Sequence, residues 1–218
     1  MKPDKIIRSY RQSIGLQITR QGELVVHAPH LIPQFFIERF LDDKKDWIEK
    51  GLSQVQKHPH TSKRKYEEGE GFLYLGKTYK LHFGNFTKIN IKETLNFPQV
   101  LQFRIKKELD DWYIRQAKEV ITSRVEFYSK QIGTTYKSIR FSETTSKWGT
   151  CFADNSLQFR WKLIMSPLMV LDYVVIHELA HTIEHNHSHD FWNIVKRFTP
   201  AYRQHRDWLN KNAHLLVI

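Results

Sequence analysis

A single cysteine, Cys151, stands among 218 residues. An internal disulfide framework is therefore excluded, and the chain suits a reducing compartment. Long apolar runs are missing too: no stretch approaches the ~20 apolar residues that cross a bilayer. The opening Met1-Lys2-Pro3-Asp4-Lys5-Ile6-Ile7-Arg8 lacks the apolar segment of a secretory signal. A soluble, cytoplasmic protein with no membrane partner is expected. Acidic residues are in deficit, with 23 Asp and Glu against 34 Lys and Arg, giving a formal charge of +11. That surplus favours polyanions and makes nucleic acid a candidate partner. The densest basic stretch, residues 57–65, reads as an exposed linker, and no zinc knuckle or other nucleic-acid signature accompanies it.

What is present is enough apolar material for a core: hydrophobic residues make up 40% of the chain, and aromatic residues 13% of the chain. The length allows one large domain or two small ones. Ile6 to Arg11, Gly15 to Thr19 and Glu23 to His27 have strand-like patterns, with Gln21-Gly22 as a turn. Ile32-Pro33 opens a helix in which Phe36, Phe40, Trp47 and Ile48 recur at helical spacing up to Gly51. Phe72 to Leu75 and Thr78 to Phe83 flank Gly76-Lys77 as a hairpin, and Ile89 to Ile91 and Leu101 to Ile105 add strands. A long helix is expected from about Lys107 to Ile132, with Trp112, Ala117, Val120, Ile121, Val125 and Tyr128 inward and Gly133 ending it. Ser138 to Phe141 and Leu157 to Leu163, with Asp154-Asn155 as a turn, read as strands of a small antiparallel sheet.

The chemistry concentrates in His177-Glu178-Leu179-Ala180-His181. Ser166-Pro167 is a good helix start, and Leu168 to Ile176 is apolar except for Asp172 and Tyr173, so the segment is expected as a buried helix. Two His at i and i+4 lie on one helix face and can share one Zn²⁺ at ~2.0–2.1 Å. Glu178 is turned about 100° from His177, beside the metal rather than on it, where a carboxylate can take a proton from a zinc-bound water. Three further His compete to be the third ligand. His185 would stack along the same helix face, too far to share the ion. His187 needs the shortest reversal, through a left-handed turn at Asn186, and is favoured; His189 remains a rival. Beyond it Ser188 caps a helix whose Phe191, Ile194, Val195 and Phe198 form one apolar face, stopped by Thr199-Pro200. A last helix holds Tyr202 and Trp208.

Several segments together resemble one family. Val174 to His181, Asn186-His187-Ser188 and Phe191-Trp192 look like the YgjP-like (SprT- and WLM-related) zinc metallopeptidases. Ser146-Lys147-Trp148-Gly149-Thr150-Cys151 resembles the family's R-W-G-S-C segment, with Lys for Arg and Thr for Ser. Leu157 to Trp161, Leu171-Asp172-Tyr173, Ala28-Pro29, Asp46-Trp47-Ile48 and Tyr74 to Lys77 fit as well. The resemblance implies His177, His181 and His187 as zinc ligands and Glu178 as the catalytic residue. The pattern of strands and helices along the chain gives an α+β fold in which a β-rich N-terminal region with one helix (1–105) precedes a region (106–218) that the resemblance marks as zincin-like. In the latter a long helix, a small sheet, the HExxH helix and C-terminal helices follow one another. A role in pairing with extended substrate backbone is suggested for Lys147 to Cys151 or its partner strand.

The mechanism expected is hydrolysis of peptide bonds in an intracellular protein by a metal-activated water, with Glu178 as general base. The oxyanion needs a further donor, for which Lys147, Arg160, His189 and Tyr202 are candidates. Glu143, Asp172, Glu184 and Asp190 are available to orient the ligating imidazoles. Cys151 reads as a small buried apolar residue. The rival expectation is a basic nucleic-acid-associated binding module whose zinc is structural or whose peptidase activity is vestigial. An intact Glu178 favours the enzyme, since a structural site needs no general base.

Overall fold

The computed structural model describes residues 2–19, 22–57, 64–143 and 147–218. It divides into two compact units, Met1–Arg64 and Lys65–Ile218. In the first, β1 (Lys5–Ser9), β2 (Gly15–Ile18) and β3 (Leu24–Pro29) form a sheet in the order β1-β3-β2, with β1 parallel and β2 antiparallel to the centre. Two helices follow, α1 (Gln34–Asp43) and α2 (Lys45–Lys57). The continuous helix expected here breaks at Lys44, which leaves helical geometry at φ −106°, ψ 13°. The buried face is also different. Ile37, Leu41 and Ile48 close over Leu24, Val26 and Ala28, while Phe36 and Trp47 stay exposed.

The second unit begins with a four-stranded sheet: β4 (Gly71–Tyr74), β5 (Lys77–Gly84), β6 (Asn90–Ile91) and β7 (Leu95–Pro98), ordered β4-β5-β7-β6. This sheet shares its core with the C-terminal helices, so the division falls at 64/65 rather than at the expected 105/106. The segment expected as a strand from Leu101 to Ile105 is instead a 3-10 turn, Gln99–Arg104, leading into α3 (Ile105–Ile132). Leu109, Trp112, Tyr113, Ala117, Ile121 and Val125 recur every three or four residues along α3 and are buried, whereas Val120 and Tyr128 are only partly covered. Gly133 ends the helix as expected, in the left-handed region at φ 79°.

Next come β8 (Ser138–Ser142), β9 (Gly149–Cys151) and β10 (Ser156–Arg160), in the order β8-β10-β9. The sheet is mixed, not antiparallel: β10 runs parallel to β8 and antiparallel to β9. The strand expected to reach Leu163 stops at Arg160, and Trp161–Met165 coil into a buried 3-10 turn. Asp154 and Asn155 do form the turn, Asp154 Oδ1 accepting from the amide and hydroxyl of Ser156 and Asn155 lying at φ 60°.

The helix that carries the motif, α4 (Leu168–Ala180), is held from two sides. Its N-terminal boundary residue is Pro167 rather than Ser166, whose hydroxyl donates back to Leu163 O at 2.7 Å. At this end the β4–β5 turn docks its tip: Leu75 N–H reaches Ile164 O at 2.8 Å and Gly76 N–H reaches Met165 O at 3.1 Å. Both turn residues have positive φ, 46° and 78°, the geometry of a two-residue type I′ hairpin. Gly76 is needed twice over, because a Cβ there would also sit 2.8 Å from Pro167 Cα. In its middle, Asp172 receives Arg124 of α3 through two bonds, 2.6 and 2.7 Å, with Tyr128 Oη adding a third at 3.2 Å. Two short helices complete the unit, α5 (His189–Phe198) and α6 (Tyr202–Asn212). No described helix is long and apolar enough to cross a membrane.

Candidate metal centre

α4 ends at Ala180, and His181 is its C-cap residue. The chain reverses immediately, with Thr182 N–H bonded to Leu179 O, and Ile183 and Glu184 N–H to Ala180 O. The reversal needs no left-handed Asn186, since that residue is absent from the positive-φ positions. His187 follows, and Ser188 caps α5 as expected by accepting from Phe191 N–H at 3.3 Å. The turn thus brings His187 back over the helix end.

One ring nitrogen from each of His177, His181 and His187 lies within 4.8 Å of the other two. His177 Nε2 and His187 Nε2 are 3.1 Å apart. Two nitrogens bound at ~2.0–2.1 Å to one tetrahedral ion stand roughly 3.3–3.4 Å apart, so the spacing fits zinc with small adjustment. His181 points Nδ1 at the Glu184 carbonyl, 3.2 Å away, which leaves Nε2 for the shared point. A carbonyl partner of this kind fixes tautomer and ring direction. Nδ1 of His177 is buried without a hydrogen-bond partner. Burial, reinforced by His181 and His187, pushes the His177 imidazole down to about 3, and burial lowers His181 also. Both rings are held neutral, the form a metal takes.

His187 is exposed, yet its ring is not loose. Phe191, fully buried on α5, places its ring 4.9, 4.4 and 4.7 Å from the centroids of His177, His181 and His187. It forms an apolar floor beneath all three. Trp192 stacks on His187 at 5.6 Å and 24°, and Tyr202 stacks on Trp192 at 5.0 Å and 25°. The sequence places Phe191 on an apolar helix face and offers Tyr202 as an oxyanion donor; only the Phe-Trp pair beside the His marks their place at the imidazoles.

Glu178 is 6% exposed and faces β9. The Cys151 amide donates to its carboxylate, and Lys147 adds a favourable positive charge, but burial dominates and pushes the carboxyl up to about 8. Gly149 provides the room, for a Cβ there would lie 2.5 Å from Glu178 Cγ. A cavity of about 330 Å³ opens between β9 and α6, and the three imidazoles and Glu178 line it with Lys147, Tyr173, Arg206 and Asn210.

The other candidates disperse. His185 and His189 are not in the cluster; His189 Nδ1 faces the Asn193 carboxamide at 3.0 Å. Of the oxyanion candidates, Lys147 alone lines the cavity. Arg160 is buried with its guanidinium 4.6 Å over the Trp148 ring, and Tyr202 is in the Trp192 stack. Of the carboxylates, Asp172 is bound to Arg124, Asp190 lies by His189 at 3.8 Å, Glu184 contributes its backbone carbonyl, and Glu143 lines a separate surface depression near the start of α3. Cys151 is half-buried on the cavity wall, not an enclosed core residue, and burial pushes its thiol up to about 11. Arg206 was missed; nothing local on its helix signals it.

Three imidazoles and one carboxylate around a cavity define the class of a metal-dependent hydrolase. The family model of the YgjP-like metallopeptidase domain matches residues 12–212, and the chain belongs to that family. It is a metallopeptidase, whose substrate is protein or peptide and whose cofactor is a metal ion, usually zinc in this family. Among solved structures it is similar to the metallopeptidase zymogen abylysin of Pyrococcus abyssi, at 18% identity and a TM-score of 0.38, over 40% of this chain and 89% of that one. No curated protein matches it. Nothing in these comparisons supports nucleic acid as a partner, and most of the basic stretch, residues 58–63, lies outside the described residues, as does Ser146.

Proposed function

We propose that the chain is a zinc-dependent peptidase of the HExxH type that cleaves an intracellular protein, with His177, His181 and His187 holding the metal and Glu178 as general base. One observation supports this above the others: three imidazoles converge within 4.8 Å, and a buried carboxylate that is no part of the triad borders the same cavity. Bound zinc supplies a Lewis acid, which makes water acidic and carbonyls electrophilic.

The chain's own groups do the rest. The Glu178 carboxylate, aimed by the Cys151 amide and the Lys147 charge, accepts the proton of the attacking water and returns it to the leaving amine. A cation close to the carboxyl favours its ionised form, so a loaded site restores the base that burial alone would protonate. Phe191 keeps water away from the underside of the imidazoles. β9, an edge strand, offers its free side to an extended peptide.

The test is cleavage of an unfolded protein such as casein by the zinc-loaded chain, with and without chelator. Hydrolysis that the chelator stops and zinc restores is expected, and Glu178→Gln should retain zinc but lose turnover. Undiminished hydrolysis by Glu178→Gln would remove the general base from the proposal.

A further inference from the structure

Two cations share the metal cavity from opposite walls. Lys147 enters beside β9 and Arg206 from α6, and neither has an ion-pair partner among the described residues. Lys147 acts on Glu178, the cavity's one carboxylate. Arg206 has no such task. Its charge is felt instead at His177 and Tyr173, across the cavity from β9. The neighbouring Arg203 shows the ordinary alternative: it turns onto Tyr202, donating to that hydroxyl at 3.2 Å. Arg206 does not fold back in this way.

Asn210 stands one helical turn beyond Arg206 and lines the same cavity, as i and i+4 positions on one face must. α6 therefore presents a guanidinium and a carboxamide side by side, next to a site that also takes a divalent cation. A guanidinium is a planar fork whose geometry matches a carboxylate. Leu209, buried between them in sequence, anchors the helix to the core and fixes that face. About 330 Å³ is at the small end for a ligand pocket, so an anion bound there lies within a residue or two of the scissile bond.

We infer that Arg206 and Asn210 form an anion subsite, and that the peptidase selects substrates with a carboxylate beside the cleaved bond. The inference rests on the proposed peptidase reading and names its substrate class. The carboxylate has two sources, an Asp or Glu side chain or a free C-terminus.

The experiment measures binding, by fluorescence anisotropy, of short labelled peptides to the zinc-loaded Glu178→Gln chain. Three forms of one neutral sequence are compared: C-terminally amidated, amidated with a single glutamate in place of glutamine, and with a free terminal carboxylate. One acidic form should bind about tenfold tighter than the neutral amide, and which one does identifies the source. The advantage should shrink as salt rises from about 50 to 500 mM. Adding Arg206→Gln should bring the acidic form to within about twofold of the neutral one, and Arg206→Lys should recover part of the gain. Equal affinities in the presence of Arg206, an advantage that survives Arg206→Gln, or no binding of any form would overturn the inference. Casein cleavage by the unsubstituted chain is read in parallel. Cleavage without acid preference sinks the subsite alone, whereas acid-selective binding without cleavage sinks the peptidase reading alone.

Discussion

Gly149 offers the sharpest probe of the arrangement around Glu178. A methyl group at this position would sit 2.5 Å from Glu178 Cγ, 2.6 Å from Oε1 and 2.8 Å from Cδ. Carbon atoms in contact prefer ~3.5–4.0 Å, so the side chain must retreat by roughly 1 Å. It cannot do so by bending its tip alone, because the closest atom is Cγ, near the root of a buried side chain. Displacement of a reacting group by ~1 Å costs on the order of a hundredfold in rate. The three clustered imidazoles belong to other residues of α4 and the following turn, and should be untouched. Gly149→Ala is therefore expected to keep one zinc per chain by mass spectrometry while kcat on a fluorogenic peptide falls about 100-fold. The backbone at Gly149 is not in the positive-φ region, so conformational strain does not confuse the reading. Turnover within about twofold of the parent, with zinc bound, would refute the idea that Glu178 works from where β9 holds it.

Other consequences can be checked independently. In metal-stripped protein, Glu178 is raised to about 8 and His177 lowered to about 3. The raised carboxyl contributes stability that is full below its unfolded value and is lost as pH climbs through 8; the depressed imidazole contributes stability lost as pH falls below its ordinary value of 6.5. Between pH 6.5 and 8 only the carboxyl slope remains, so the apo chain should lose about 2 kcal/mol there and apo Glu178→Gln almost none, by urea titration; parallel curves would contradict this. Asp172→Asn leaves Arg124 facing a neutral amide where two bonds of 2.6 and 2.7 Å stood. With both side chains partly accessible, a loss of about 2–3 kcal/mol in the same titration is expected rather than the full buried-pair value. Trp192→Ala removes the ring stacked on His187 and should weaken zinc by roughly 10-fold or more in a chelator competition, with Trp192→Phe in between.

How far the sequence reveals these features depends on whether local chemistry decides them. The i, i+4 pair, Glu178 and the return of His187 follow from helix geometry, and the three imidazoles do meet. Ser188 as a cap, Gly133 as a helix end and the Asp154-Asn155 turn are likewise settled within four residues of chain. What escaped is tertiary. β7 is buried on both faces, Leu95 through Pro98, so it shows no alternation to read. The 3-10 turns at Gln99–Arg104 and Trp161–Met165 read as strand because Val100, Phe103, Trp161 and Ile164 are residue types that strands favour. Whether β10 pairs parallel or antiparallel with β8 depends on β9 inserting along the other edge. Arg206 belongs to the site only because α6 packs back on α4, a contact no spacing encodes.

Zinc K-edge X-ray absorption on the loaded chain tests the central claim most directly, because it counts the atoms touching the metal. The expected shell is three imidazole nitrogens at about 2.0–2.1 Å with a light oxygen scatterer in the remaining position, reduced to two imidazoles in His187→Ala. A sulfur neighbour from Cys151, or an imidazole count unchanged in His187→Ala, would contradict it.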